Sequence, residues 1–100
     1  MKTILIVEDN EKNMKLARDI LRAKGYAVLE AVNGLDGVAL ALQHRPDLVL
    51  MDIQLPDING IEAFTRIRAD AATAKVPVVA FTASVTVNDR SRIGDAGFDG

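Results

Sequence analysis

One hundred residues is one domain's worth of chain. Fourteen acidic against twelve basic residues leave a formal charge of −2, which argues against a nucleic-acid module though not against a partner that binds nucleic acid. With no Cys and a single His, disulfide scaffolds, thiolate metal sites and His-based zinc sites are set aside. No apolar run approaches the roughly 18 residues of a membrane span, and Met1-Lys2-Thr3-Ile4 lacks a signal-peptide core, so a cytoplasmic protein without a membrane partner is expected.

In chain order, Ile4-Leu5-Ile6-Val7 is a short β-rich run that stops at Glu8-Asp9-Asn10. Glu11 to Lys24 places Met14, Leu16, Ala17, Ile20 and Leu21 on one helical stripe, with Asn10 as N-cap and Gly25 just past the end. Ala27 to Val32 reads as a second strand, interrupted by Glu30, and Asn33-Gly34 as a turn. Leu35, Val38, Ala39 and Leu42 recur with helical spacing and predict a second helix ended by Pro46. Leu48 to Met51 is a third strand closed by Asp52. A loop with Pro56 leads to a third helix carrying Ile61, Phe64 and Ile67. Val76 to Phe81 is a fourth strand, and Asn88 to Ala96 a weak helix with Gly94 inside it.

The order βαβαβαβα predicts one α/β domain without linker or repeat. Strands one, three and four are continuous apolar runs, as expected of strands buried on both faces of a parallel, doubly wound sheet. The second strand is the least apolar, which suits an edge. Ligands of such sheets sit at the carboxyl ends of the strands. There the first strand ends in Glu8-Asp9, the third in Asp52 and the fourth in Thr82-Ala83-Ser84.

If strands one and three are neighbours, three carboxylates converge in one cleft. Uncompensated, they repel, and some must take up protons. A hard divalent cation relieves this, and an all-oxygen donor set favours Mg²⁺ or Mn²⁺ over zinc. The constellation reads as a Mg²⁺-assisted phosphoryl site with one carboxylate free to attack. Singly, each acid is as well explained as a turn former or a helix N-cap. Three acids at two strand ends, with a hydroxyl at a third, carry a stronger signal.

Ile4 to Asn10 (ILIVEDN), Asp47 to Gly60 (DLVLMDIQLPDING) and Val76 to Ser84 (VPVVAFTAS) together resemble the receiver domain of two-component response regulators. The resemblance implies a flavodoxin-like sheet of strand order 2-1-3-4. It implies that Asp52 accepts a phosphoryl group from a phosphohistidine of a histidine kinase or histidine phosphotransferase. It implies that Glu8, Asp9, Asp52 and the backbone carbonyl of Gln54 hold Mg²⁺. It also implies that Thr82 is a switch hydroxyl, with the Ala83 N–H beside the phosphoryl group. Pro56 and Gly60 would shape the loop after the third strand. The product would be a transient acyl phosphate read by a downstream signalling protein, with no enzymatic role beyond labelling and unlabelling itself.

Receiver domains usually continue into a fifth strand with a Lys and a fifth helix. This sequence stops at Ala96-Gly97-Phe98-Asp99-Gly100, and Lys75 precedes the fourth strand, so residues 1–100 are expected to be a receiver domain C-terminally incomplete relative to the family. Of the other residues, His44 reads as a surface residue. Lys15, Arg18 and Arg22 read as a basic, solvated edge that could meet a partner. Gly34-x-x-Gly37 is no nucleotide loop. Two rival readings remain at this level. An aspartyl-phosphate hydrolase usually carries D-x-D after its first strand, whereas E-D-N stands here. A non-phosphorylated binding module would be favoured by the missing Lys and disfavoured by the presence of Asp52, the acidic pair and Thr82.

Overall fold

A computed structural model of the chain describes residues 2–52, 57–58 and 60–80. Gln54, Pro56, Phe81, Thr82, Ala83 and the helix expected over Asn88 to Ala96 lie outside the described residues. The elements are β1 (Thr3–Val7), α1 (Glu11–Ala23), β2 (Ala27–Ala31), α2 (Gly34–His44), β3 (Leu48–Met51), α3 (Gly60–Ala69) and β4 (Val78–Ala80). The strands pair in parallel in the order β2-β1-β3-β4, and β2, the least apolar, is at an edge as its composition predicts.

Strand residues alternate between two cores. Leu5, Val7, Val49, Met51 and Val78 are buried with Ala41 of α2 and with Ala63, Phe64 and Ile67 of α3. Ile6 faces the other way and packs with Met14 and Ala17 of α1, joined by the half-buried Leu21, Val28 and Leu50. Helices therefore cover both faces, which is why the central strands are apolar at successive positions.

The predicted stripe of α1 divides. Met14 and Ala17 are buried, whereas Leu16 and Ile20 are exposed. At about 100° per residue, positions 14, 17 and 21 share one face and positions 16 and 20 fall on its flank. Asn10 caps α1 by accepting from the Asn13 N–H at 3.0 Å, and Gly25 follows the helix at φ +91°, a backbone conformation that glycine adopts without strain.

The start of α2 corrects the sequence reading. Asn33-Gly34 is not a free-standing turn: Asn33 is the N-cap, accepting from the Asp36 N–H at 2.8 Å, and Gly34 is the first helical residue. The same residue types serve turns and N-caps. A Cβ on Gly37 would lie 2.7 Å from Val7 Cγ2, so the missing side chain lets α2 approach β1. After α2, Arg45 adopts the left-handed conformation at φ 47° and its N–H donates to Ala41 O at 2.9 Å. The second strand ends at Ala31, leaving Val32 exposed, and Val76 lies in the turn before β4.

Candidate metal centre

Val7 and Met51 are register partners on adjacent parallel strands, so Glu8 and Asp52 leave β1 and β3 at the same level. Backbone bonds hold both places. Glu8 N donates to Ala31 O of β2 at 3.0 Å, and Asp52 N donates to Val7 O at 2.9 Å. Continuing the two-residue alternation puts Glu8 with Ile6 and Asp52 with Leu50, on the α1 face of the sheet. Asp9 then begins the turn into α1. One carboxylate oxygen from each of Glu8, Asp9 and Asp52 lies within 4.8 Å of the others. The convergence expected from the sequence is present for all three acids.

Their environments differ. Glu8 is 1% exposed and Asp52 5%, whereas Asp9 is exposed. Glu8 Oε1 accepts from the Asn10 N–H at 3.0 Å, while the buried Oε2 has no hydrogen-bond donor among the described residues. Neither Glu8 nor Asp9 forms an ion pair among the described residues. Burial pushes the Glu8 carboxyl up to about 7; the Asn10 N–H opposes the rise, and the neighbouring Asp52 and Asp9 add to it. A buried carboxylate oxygen with no donor, beside two further carboxylates, is a donor set for a hard cation. The residues fit Mg²⁺ in charge, donor type and proximity.

A groove of about 400 Å³ runs beside the acids, lined by Glu8, Asp9, Met14, Lys15, Arg18 and Glu30. The basic edge of α1 is largely satisfied. Lys15 Nζ lies 2.9 Å from Asp19, and Arg18 Nη1 lies 2.8 Å from Glu30 of β2. Glu30, which interrupts the second strand, thus anchors α1 to the sheet edge.

Asp57 escaped the sequence reading. Its carboxylate accepts from the Gly34 and Leu35 N–H groups, at 2.8 and 2.9 Å. These are long-range bonds, so local spacing offered no sign of them; the only available signal was an Asp directly after a Pro, which by itself suggests a turn.

Comparison with known proteins places the chain. The family profile of the response regulator receiver domain matches residues 4–100. The polar-differentiation response regulator DivK of Brucella anthropi is 47% identical over 96 residues, covering 96% of this chain and 78% of the relative. The crystal structure of the receiver domain of sensor histidine kinase PA1611 from Pseudomonas aeruginosa superposes with a TM-score of 0.91 at 37% identity, over 98% of this chain and 80% of that one. That structure has a magnesium ion coordinated in its active-site cleft. The Mn²⁺-bound form of response regulator Rcp1 matches with a TM-score of 0.88 at 26% identity, over 99% of this chain and 78% of that one.

Proposed function

The chain belongs to the response regulator receiver domain family, whose role is phosphorylation-based signalling, and on that premise we propose that Asp52 is its phosphoryl acceptor and that the cation is Mg²⁺. The phosphodonor is the phosphohistidine of a histidine kinase or histidine phosphotransferase. The observation that carries the reading is the buried, unpartnered Oε2 of Glu8 within a cluster of three carboxylates.

Glu8, Asp9 and Asp52 would hold the cation, together with the Gln54 carbonyl that the family resemblance implies. When bound, Mg²⁺ supplies the positive charge that lets carboxylates and phosphoryl oxygens share one cleft. Asp52, which ends β3 beside Glu8 and Asp9 and stands where the family motif has its phosphoryl acceptor, is the nucleophile. An Asp52 oxygen forms a bond to phosphorus as the bond from phosphorus to the donor's imidazole nitrogen breaks, and the imidazole leaves after protonation. The product is an acyl phosphate, which water cleaves back to the carboxylate, so the mark is transient. Thr82 and the Ala83 N–H receive the phosphoryl oxygens and bias the domain toward the conformation that a downstream signalling protein binds. The solved receiver domains holding Mg²⁺ or Mn²⁺ support the choice of cation.

The metal assignment is tested by thermal unfolding with and without Mg²⁺. A ligand bound only by the native state stabilises it by RT ln(1 + [L]/Kd), about 2.7 kcal/mol at one hundred times Kd. Wild type should gain this much, and Asp9→Ala markedly less. Equal gains in both proteins would remove Asp9 from the cation site.

A further inference from the structure

Glu8 is held at both of its ends. Its backbone N–H donates to Ala31 O of β2 at 3.0 Å, which fixes the residue at the end of β1. The tip of its side chain is fixed separately, because Oε1 accepts from the Asn10 N–H at 3.0 Å. With Oε1 so occupied, Oε2 is the oxygen left buried and without a donor among the described residues. Asn10 therefore decides which Glu8 oxygen is available and where it lies.

Asn10 is in turn held by α1. Its Oδ1 accepts from the Asn13 N–H at 3.0 Å, and its carbonyl accepts from the Met14 N–H at 2.9 Å. Met14 is buried with Ile6 of β1, so the first turn of the helix is itself seated on the sheet. The Asn10 backbone is extended, at φ −82° and ψ 118°. In that conformation the side-chain oxygen reaches forward to the helix, while the residue's own N–H is spent on Glu8. Asp9 is the single residue between these two fixed points. Its side chain is exposed, yet the backbone that carries it has little room to move.

We propose that Asn10 is a positioning residue for the cation site: by capping α1 it keeps its own N–H on Glu8 Oε1, and so sets the Glu8 and Asp9 carboxylates beside Asp52 before a cation arrives. The inference rests on the reading of these three acids as cation ligands. Asn10 touches no cation and acts only through Glu8 and Asp9. Without it, the side-chain bonds of Glu8 and the backbone of Asp9 would be ordered only on binding, at an entropic cost that preorganisation removes. Groups that orient metal ligands matter to affinity by about 10- to 100-fold. Asn33 supplies a comparison within the same chain. It caps α2 with the same pair of bonds, to the Asp36 N–H at 2.8 Å and the Gly37 N–H at 3.1 Å, but neighbours none of the three acids in sequence.

Wild type, Asn10→Ala, Asn10→Gly, Asn10→Ser and Asn33→Ala are compared by Mg²⁺ titration calorimetry and by amide exchange without metal. Asn10→Ala should speed exchange at Asn13 and weaken Mg²⁺ binding about tenfold. Asn10→Gly removes the side chain at little cost to the helix and should lose as much affinity, which covers the case that the alanine variant folds poorly. Asn10→Ser keeps a capping oxygen and should bind Mg²⁺ nearly as wild type does. Asn33→Ala should speed exchange at Asp36 and leave Mg²⁺ affinity unchanged. Wild-type affinity in Asn10→Ala or Asn10→Gly would overturn the proposal. So would an equal loss in Asn33→Ala, which would make the effect a general loosening, or a serine variant as weak as the alanine one. A wild type that binds no Mg²⁺ would overturn the cation site itself, and the role of Asn10 with it.

Discussion

At the scale of the residue, a carboxylate buried beside two others is held against its solvation, and either a proton or a cation relieves it. Glu8 shows the consequence for stability. Its carboxyl is raised from 4.5 to about 7 in the folded chain, so the folded state binds the proton more tightly than the unfolded state does. The contribution of Glu8 to stability is therefore fully present below pH 4.5 and is lost as pH rises through about 7. The loss is about 3 kcal/mol in the metal-free protein, at about 1.4 kcal/mol for each tenfold change in proton affinity. Glu8→Gln should remove that slope. In urea titrations without metal, the variant should exceed wild type in stability at pH 8 and approach it at pH 4.5; a variant no more stable at pH 8 would refute the buried-charge account. If Glu8 holds Mg²⁺ as proposed, the metal competes with the proton there, so its stabilising effect on wild type should grow from pH 5.5 to pH 8. The acids themselves were legible in the sequence because they stand directly at the ends of apolar strands. Which of them is buried was not, since burial depends on strand neighbours distant in the chain.

At the scale of the element, α2 is positioned by what it lacks. Gly34 and Gly37 meet Ile58 and Val7 where a Cβ would have no room. Gly37→Ala gains about 1 kcal/mol of helix propensity but drives a methyl group into the buried Val7, and overpacking costs about 1–3 kcal/mol. The net effect should be destabilising, read as a lower urea midpoint; a more stable variant would mean that α2 can shift away from the sheet at no cost. The sequence reading rightly set these glycines aside as a nucleotide motif, yet their packing role depends on residues far along the chain. The connection from α3 to β4 offers a second case. Thr73 is fully buried, and its hydroxyl donates to Ile67 O at 2.6 Å. Thr73→Val keeps the shape and removes the donor, and should cost about 1–3 kcal/mol as that carbonyl is left under-satisfied. An unchanged urea midpoint would mean that another donor replaces the hydroxyl. Helix starts were the hardest boundaries to read, because Asn33 and Gly34 suit a turn and an N-cap equally.

At the scale of the molecule, the alternation of apolar runs and amphipathic segments predicted a parallel sheet with helices on both faces, and the strand order β2-β1-β3-β4 agrees. That much is legible because both faces of a parallel sheet are buried and leave a continuous apolar trace. No helix among the described residues is long and apolar enough to cross a membrane. The order of the strands decides the chemistry, since only the adjacency of β1 and β3 brings Glu8 and Asp9 to Asp52. A binding module without a cation would need no such cluster, and the buried carboxylate oxygen within it that has no donor among the described residues supports the proposed cation site. The account is tested most directly by incubating the protein with acetyl phosphate and Mg²⁺, measuring intact mass and locating the modified residue. It predicts one phosphoryl group on wild type, carried by Asp52, and none on Asp52→Asn. Equal labelling of Asp52→Asn, or a wild-type label carried by another residue, would contradict it.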